Sequence, residues 1–95
     1  MPSSLSGSTV LQASGTVLVR SAGTETVLLD QASEEFFGLD GVGARLFELL
    51  SEPSTIDTVA DVLVEEYDVE RAVLASDLLG LASELVERGL VVVHD

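Results

Sequence analysis

Ninety-five residues without a cysteine make one small domain with a single core, and they exclude disulfides and thiolate metal sites. Seventeen acidic residues against four arginines give a formal net charge of −13, which disfavours nucleic acid and anionic membrane surfaces as partners. Because the sequence has neither a signal peptide nor a run of about 18 apolar residues, we expect a soluble protein of the cytoplasm.

The N-terminal third of the chain reads as a tail followed by strands. Residues 1–14 are rich in Ser, Gly and Thr and predict a flexible tail that orders, if at all, only at its end. Two β-rich runs follow, at 16–21 and 26–30, separated by a glycine turn. Polar turn residues then precede a third strand, Glu34 to Leu39, which should fold back on the second. The pattern predicts an antiparallel sheet with the third strand at its edge, in a domain over residues 15–93.

Three helices and a short extended run are predicted after the strands. The first helix is predicted over 41–50 after an Asp40 N-cap, and the second from a Ser54 or Thr55 cap to about Asp68. The third is predicted over 70–88, before a C′ glycine at 89, and the extended run follows at 90–93. The apolar arc of the third helix is wider than a one-sided surface helix needs, so another element must cover part of it. The fold class is therefore α+β, a three-stranded antiparallel sheet followed by three helices.

No residues have the spacing of a catalytic, metal or cofactor site. His94 is the only histidine and is expected to be solvated beside the C-terminus, and Ser76 has no histidine that could activate its hydroxyl. The glycines between 38 and 43 lack the Gly-Lys-Ser/Thr ending of a phosphate loop. We predict a protein that is not an enzyme and binds no cofactor or metal. Asp77, inside the apolar run of the third helix, is either a solvated flank residue or a hydrogen-bond acceptor at the rim of a groove.

All three Phe residues lie where the third strand meets the first helix, at positions 36, 37 and 47. Because side chains alternate along a strand, Phe36 and Phe37 point to opposite faces, so one packs in the core and the other is open to a ligand. We predict Phe37, together with Leu39, on the core side. An exposed strand edge near the wide apolar arc of the third helix is a template for strand addition by a peptide.

Several short segments, by their order and spacing, resemble the PqqD-like family of RiPP recognition elements, which bind the leader segments of ribosomally made peptide precursors. The segments are Val-Leu-Leu-Asp at 27–30, Phe-Phe-Gly-Leu-Asp at 36–40, Val-Gly-Ala-Arg at 42–45, Glu-Leu-Leu at 48–50, Glu-Glu-Tyr-Asp-Val at 65–69 and Glu-Arg-Gly-Leu-Val at 87–91. The resemblance covers about residues 15 to 92. A free-standing chain of this size looks most like the leader-binding proteins of lasso peptide biosynthesis.

The resemblance implies a winged-helix-like arrangement in which the leader adds as a strand to the third strand and packs against the third helix. It implies three partners: the leader, a separate leader peptidase of the cysteine protease type, and a cyclase. The implied peptide-binding residues are Glu34, Glu35, Phe36, Phe37, Gly38 and Leu39 of the strand and Leu74, Asp77, Leu78 and Leu81 of the helix. Two positions depart from the family: Glu34 and Glu35 stand where Gly and often a basic residue are common, and Asp40 replaces a frequent Asn. The first departure bears on the charge of the leader.

Two other classes remain open from the sequence. An acyl-carrier-type protein is also small, acidic and helical, and Ser76 would be its nearest attachment site, although this Ser lies inside a predicted helix and the N-terminal strands do not fit. A winged-helix DNA-binding protein would share the topology, but the negative charge disfavours it.

Overall fold

The structure, a computed structural model, describes residues 5–23 and 25–94, except for the side chains of Ala22 and Asp40. Its elements in chain order are β1 (Val10–Ala13), β2 (Val17–Ala22), β3 (Glu25–Asp30), β4 (Glu35–Asp40), α1 (Gly41–Leu49), β5 (Ser54–Thr55), α2 (Ile56–Glu66), α3 (Arg71–Glu87) and β6 (Val91–His94). Three helices with antiparallel sheets confirm the α+β class. Within these described ranges, no helix has both the length and the apolar character needed to cross a bilayer.

The strands β2, β3 and β4 form the antiparallel meander that the sequence predicts, with β3 in the middle. Gly23 has a φ of 66°, which provides the positive dihedral that the tight turn after β2 needs. Leu28 of β3 is fully buried and pairs with Val19 on one side and Phe37 on the other. One face of this sheet therefore contributes to the core, and β2 and β4 are its two edges.

A second sheet, not predicted, contains β1 as its middle strand between β5 and β6. Leu11 of β1 is fully buried in the core. The prediction of a flexible tail over residues 1–14 is thus wrong for residues 10–13, and the domain begins before residue 15. The local composition is rich in Ser and Thr and hides a strand whose partners, Thr55 and His94, lie far along the chain.

The predicted terminal extended run is β6, and His94 belongs to it. The side chain of His94 is exposed, as expected, but its Nε2 lies 2.6 Å from Oε1 of Gln12 on β1. The histidine is therefore held across a strand pair rather than free beside the C-terminus.

The helix ends follow local signals that the sequence contains. Thr55 is the N-cap of α2, and its hydroxyl accepts a hydrogen bond from the backbone N–H of Thr58 at 3.1 Å. After α3, Gly89 has a φ of 77°, and its N–H donates to the carbonyl of Val86 at 3.0 Å, while the N–H of Leu90 donates to that of Leu85 at 2.9 Å. These two bonds form a Schellman motif, which ends α3 where the sequence predicts. The bounds of all three helices agree with the predicted ones to within one or two residues.

Candidate functional site

The strand β4 offers a free side on which a further strand could pair. Among the described residues it pairs with β3 alone, from the Asp30–Glu35 pair to the Glu25–Asp40 pair. In an antiparallel pair, every second residue directs its N–H and C=O away from the partner. The open side of β4 therefore presents a row of backbone donors and acceptors, and the prediction that this strand is an edge is confirmed.

The two faces of β4 carry different side chains. Leu39 is buried and Phe37 is half-buried against the core, whereas Phe36 is 70% exposed on the opposite face. The predicted core side is thus confirmed. Which of the two aromatics faces α3 was left open by the sequence; it is Phe37, because the guanidinium of Arg88, the C-cap of that helix, lies over its ring.

The helix α3 comes close to β4 at two places. Near its C-terminal end, the guanidinium carbon of Arg88 lies 4.8 Å from the centre of the Phe37 ring. About two helical turns before Arg88, Leu81 of α3 lies beside Gly43 of α1. A Cβ atom placed on Gly43 would lie 3.1 Å from Cδ2 of Leu81 and 3.3 Å from Cδ2 of Leu39. The absence of a side chain at Gly43 therefore allows α1, α3 and the end of β4 to approach closely.

A cavity of about 240 Å³ lies between the start of α1 and the N-terminal half of α3. It is lined by Val42, Gly43, Val69, Val73, Leu74, Asp77, Leu78 and Leu81. All four helix residues predicted for the site are brought together here. The other four were missed, and the signal that could have found them is Gly43, a glycine inside a helix, which commonly marks a close approach. We call this cavity, together with the free side of β4 and the facing side of α3, the β4–α3 cleft.

The predicted helix residues of the site differ in how much of each side chain is exposed in the β4–α3 cleft. Leu74 and Leu78 are almost completely buried and form the floor of the cavity, so they support the fold as well. Leu81 is half-buried and is the helix leucine that a ligand can reach. The side chain of Asp77 is exposed at the rim, and its carboxylate makes no hydrogen bond or ion pair with the described residues.

At the other end of the predicted site, Glu34 is not part of the strand. It lies in the turn before β4 with a φ of 62°, and its N–H donates to the carbonyl of Asp30 at 2.7 Å. Glu35 opens the strand and Gly38 lies in its middle, and both are exposed. The strand therefore begins one residue later than predicted, because the positive φ of Glu34 belongs to the turn.

Outside the cleft, Arg45 ties the first two helices together. Its guanidinium donates to Oε1 and Oε2 of Glu66 at 2.9 and 2.8 Å, and to Glu48 at 2.9 Å. The hydrogen bond from Arg45 lowers the pKa of Glu66 below its ordinary value. This exposed network supports the helical frame and lies on the side of α1 away from the cleft.

A larger concavity, of about 730 Å³, lies between the other edge strand, β2, and α1. Its walls mix Val17 and Val19 with the hydroxyl-bearing Ser21, Thr26 and Tyr67. None of the predicted site residues lines it. Within residues 5–23 and 25–94, no group of three or more His, Cys, Asp or Glu side chains could hold a metal ion.

A free strand edge beside an apolar cleft on a helix is an arrangement to which an extended peptide can add as a further strand. The chain belongs to the PqqD family. The sequence pattern of that family, described as coenzyme PQQ synthesis protein D (PqqD), matches residues 25–91.

Similar proteins include a curated relative and three solved structures. The chain is 31% identical over 65 residues to the PqqA binding protein of Gluconobacter oxydans (strain 621H), a match that spans 68% of each chain. TbiB1 in complex with the TbiA(beta) leader peptide is 31% identical, with a TM-score of 0.77 over 84% of this chain and 93% of that one. Lasso peptide synthetase B1 complexed with the leader peptide is 28% identical, with a TM-score of 0.76 over 86% of this chain and 96% of that one. The PqqD truncation of Methylobacterium extorquens PqqCD, a stand-alone RiPP recognition element, is 27% identical, with a TM-score of 0.78 over 93% of this chain and 94% of that one.

Proposed function

We propose that this chain is a recognition element for the leader segment of a ribosomally made precursor peptide. The observation on which this rests is the free edge of β4 beside the apolar cavity on α3. Two similar solved structures are complexes with leader peptides, and the curated relative is a PqqA binding protein, which supports the same activity here. The acyl-carrier alternative has no support from these relatives.

The leader would bind as an additional strand. Backbone hydrogen bonds from the open side of β4 supply affinity that does not depend on the leader's sequence, and the leader side chains that face α3 supply selectivity. Such a segment is disordered before binding and must be ordered on β4, so a few apolar side chains placed over Leu81 and the floor leucines have to provide most of the net affinity. The buried floor also fixes the depth to which such a side chain can reach.

We infer that the chain binds and does not cleave. A module whose candidate site holds apolar side chains and one unpartnered carboxylate has no nucleophile with which to process the precursor. Cleavage and ring closure then belong to separate partners, a leader peptidase of the cysteine protease type and a cyclase. The lasso peptide class, a winged-helix-like arrangement and action in the cytoplasm remain part of this proposal.

The proposal is tested by titrating the chain into a fluorescently labelled leader peptide from the precursor encoded nearest to its gene. We expect saturable binding of one leader per chain, and no binding of the core segment of the same precursor. A folded chain that binds neither segment contradicts the proposal.

The two alternative classes are examined with the same preparation. A gain of the phosphopantetheine arm on Ser76 after incubation with a phosphopantetheinyl transferase, seen by intact mass, would favour an acyl carrier. Salt-sensitive binding to duplex DNA would favour a DNA-binding protein. We expect neither result.

A further inference from the structure

Carboxylates outnumber cations along the β4–α3 cleft. At the Phe37 end, Arg88 shares a small pocket with Asp30 and Glu35, and it pairs with Glu84 at 3.5 Å. Three carboxylates and one guanidinium therefore lie at this end, and the guanidinium is already engaged by Glu84 and by the Phe37 ring. This end of the cleft is net negative.

The opposite end of the cleft is also negative. Asp77 lines the cavity there as its single charged residue and has no partner among the described residues. The remaining arginines lie elsewhere: Arg45 is bound to Glu66, Arg71 is bound to Asp61 at 2.8 Å, and Arg20 belongs to β2 at the other edge of the sheet. A ligand in the cleft therefore meets an apolar middle between two uncompensated negative ends.

The distance between the two negative ends can be expressed as a number of residues in an added strand. Asp77 lies about 10 Å from Glu84 and about 16 Å from Arg88 along the axis of α3, from the rise of a helix. These distances correspond to about three to five residues of an extended strand. Because side chains that face one side of a strand occur at every second residue, the spacing that fits is four residues.

We propose that the leader recognised by this chain carries two basic side chains four residues apart, one reaching Asp77 and the other reaching the carboxylates around Arg88, with apolar side chains between them. This inference rests on the proposed function and specifies the charge of the leader. Exposed Glu34, in the turn next to Glu35, adds further negative charge near the same end. Complementary charge also speeds the encounter of a cationic peptide with a chain of net charge −13.

The test is a selection from a displayed library of random extended peptides on the full chain, followed by affinity measurements at low and high salt. We expect enrichment of peptides with Lys or Arg at positions four apart, and binding that weakens as salt rises. In Asp77→Asn, one of the two basic positions should lose its enrichment, and the affinity of a selected peptide should fall about three- to fivefold, as for an exposed ion pair. The control is Glu65→Gln, which makes the same change of net charge on exposed α2.

The outcomes separate this inference from the proposed function. Peptides that are enriched, bind the cleft and show no preference for basic residues overturn the charge inference and leave leader binding in place. An equal loss of affinity in Asp77→Asn and Glu65→Gln also overturns it, because the effect would then follow net charge alone. Failure to enrich any peptide contradicts both.

Discussion

Leu81→Asp weakens leader binding strongly while the chain stays folded. Leu81 is half-buried and lines the β4–α3 cleft, where it lies against Gly43 and near Leu39. A carboxylate at this position would have to lose its hydration against an apolar floor, and the leader would lose its anchor. We expect a loss of about 2 kcal/mol or more in binding free energy, which is about 30-fold in Kd, measured by fluorescence anisotropy with a labelled leader.

The matched control is Leu79→Asp on the same helix. Leu79 is also half-buried against the core but does not line the cavity, so this variant introduces the same side chain away from the cleft. It should keep the leader affinity as long as circular dichroism shows a folded chain. If Leu81→Asp itself unfolds, Leu81→Ala tests the same contact with a smaller expected loss. Unchanged affinity in a folded Leu81 variant would remove this leucine from the site.

Leu11→Ala has the largest expected effect on stability. Leu11 is fully buried in β1, the middle strand of the second sheet, and truncating such a leucine leaves a cavity. We expect the free energy of unfolding to fall by about 2 to 5 kcal/mol, measured by urea denaturation. A small domain has only about 5 to 15 kcal/mol in total, so this is a large share.

Leu18→Ala provides the comparison for this experiment. Leu18 lies on β2 and is 45% exposed, so its truncation should change the stability by less than about 1 kcal/mol. Equal and small effects of both substitutions would contradict a buried β1 and would restore the flexible tail that the sequence composition predicts.

The parts of the fold that could be predicted are those specified by local signals. Gly23, Thr55 and Gly89 define a turn, a helix start and a helix end through dihedral angles and caps that involve only neighbouring residues. The strand β1 could not be found in this way, because its pairing with β5 and β6 joins segments that are distant in sequence. The two-residue β5, Ser54–Thr55, has no strand pattern of its own.

The candidate site, like the fold, could be predicted only where its residues are close together in the sequence. Leu74, Asp77, Leu78 and Leu81 could be grouped from the sequence because residues three or four apart share one side of a helix. Val73 lies four residues before Asp77 on the same helix, so the same spacing could have found it. Val42 joins the group only through the packing of α1 against α3, and Val69 only through the turn before α3, which local periodicity does not contain. The side of the sheet on which the cleft lies was also beyond the sequence, since strand alternation separates Phe36 from Phe37 without saying which face α3 covers.

Strand addition to β4 is tested most directly by amide hydrogen exchange of the chain with and without the bound leader. We predict slower exchange at every second amide of β4, those whose N–H groups point away from β3, because each would donate to the added strand. The amides on the free side of β2, the other edge of the same sheet, should exchange at the same rate in both states. Saturating leader that leaves the β4 amides unprotected, or that protects β2 instead, would contradict the account.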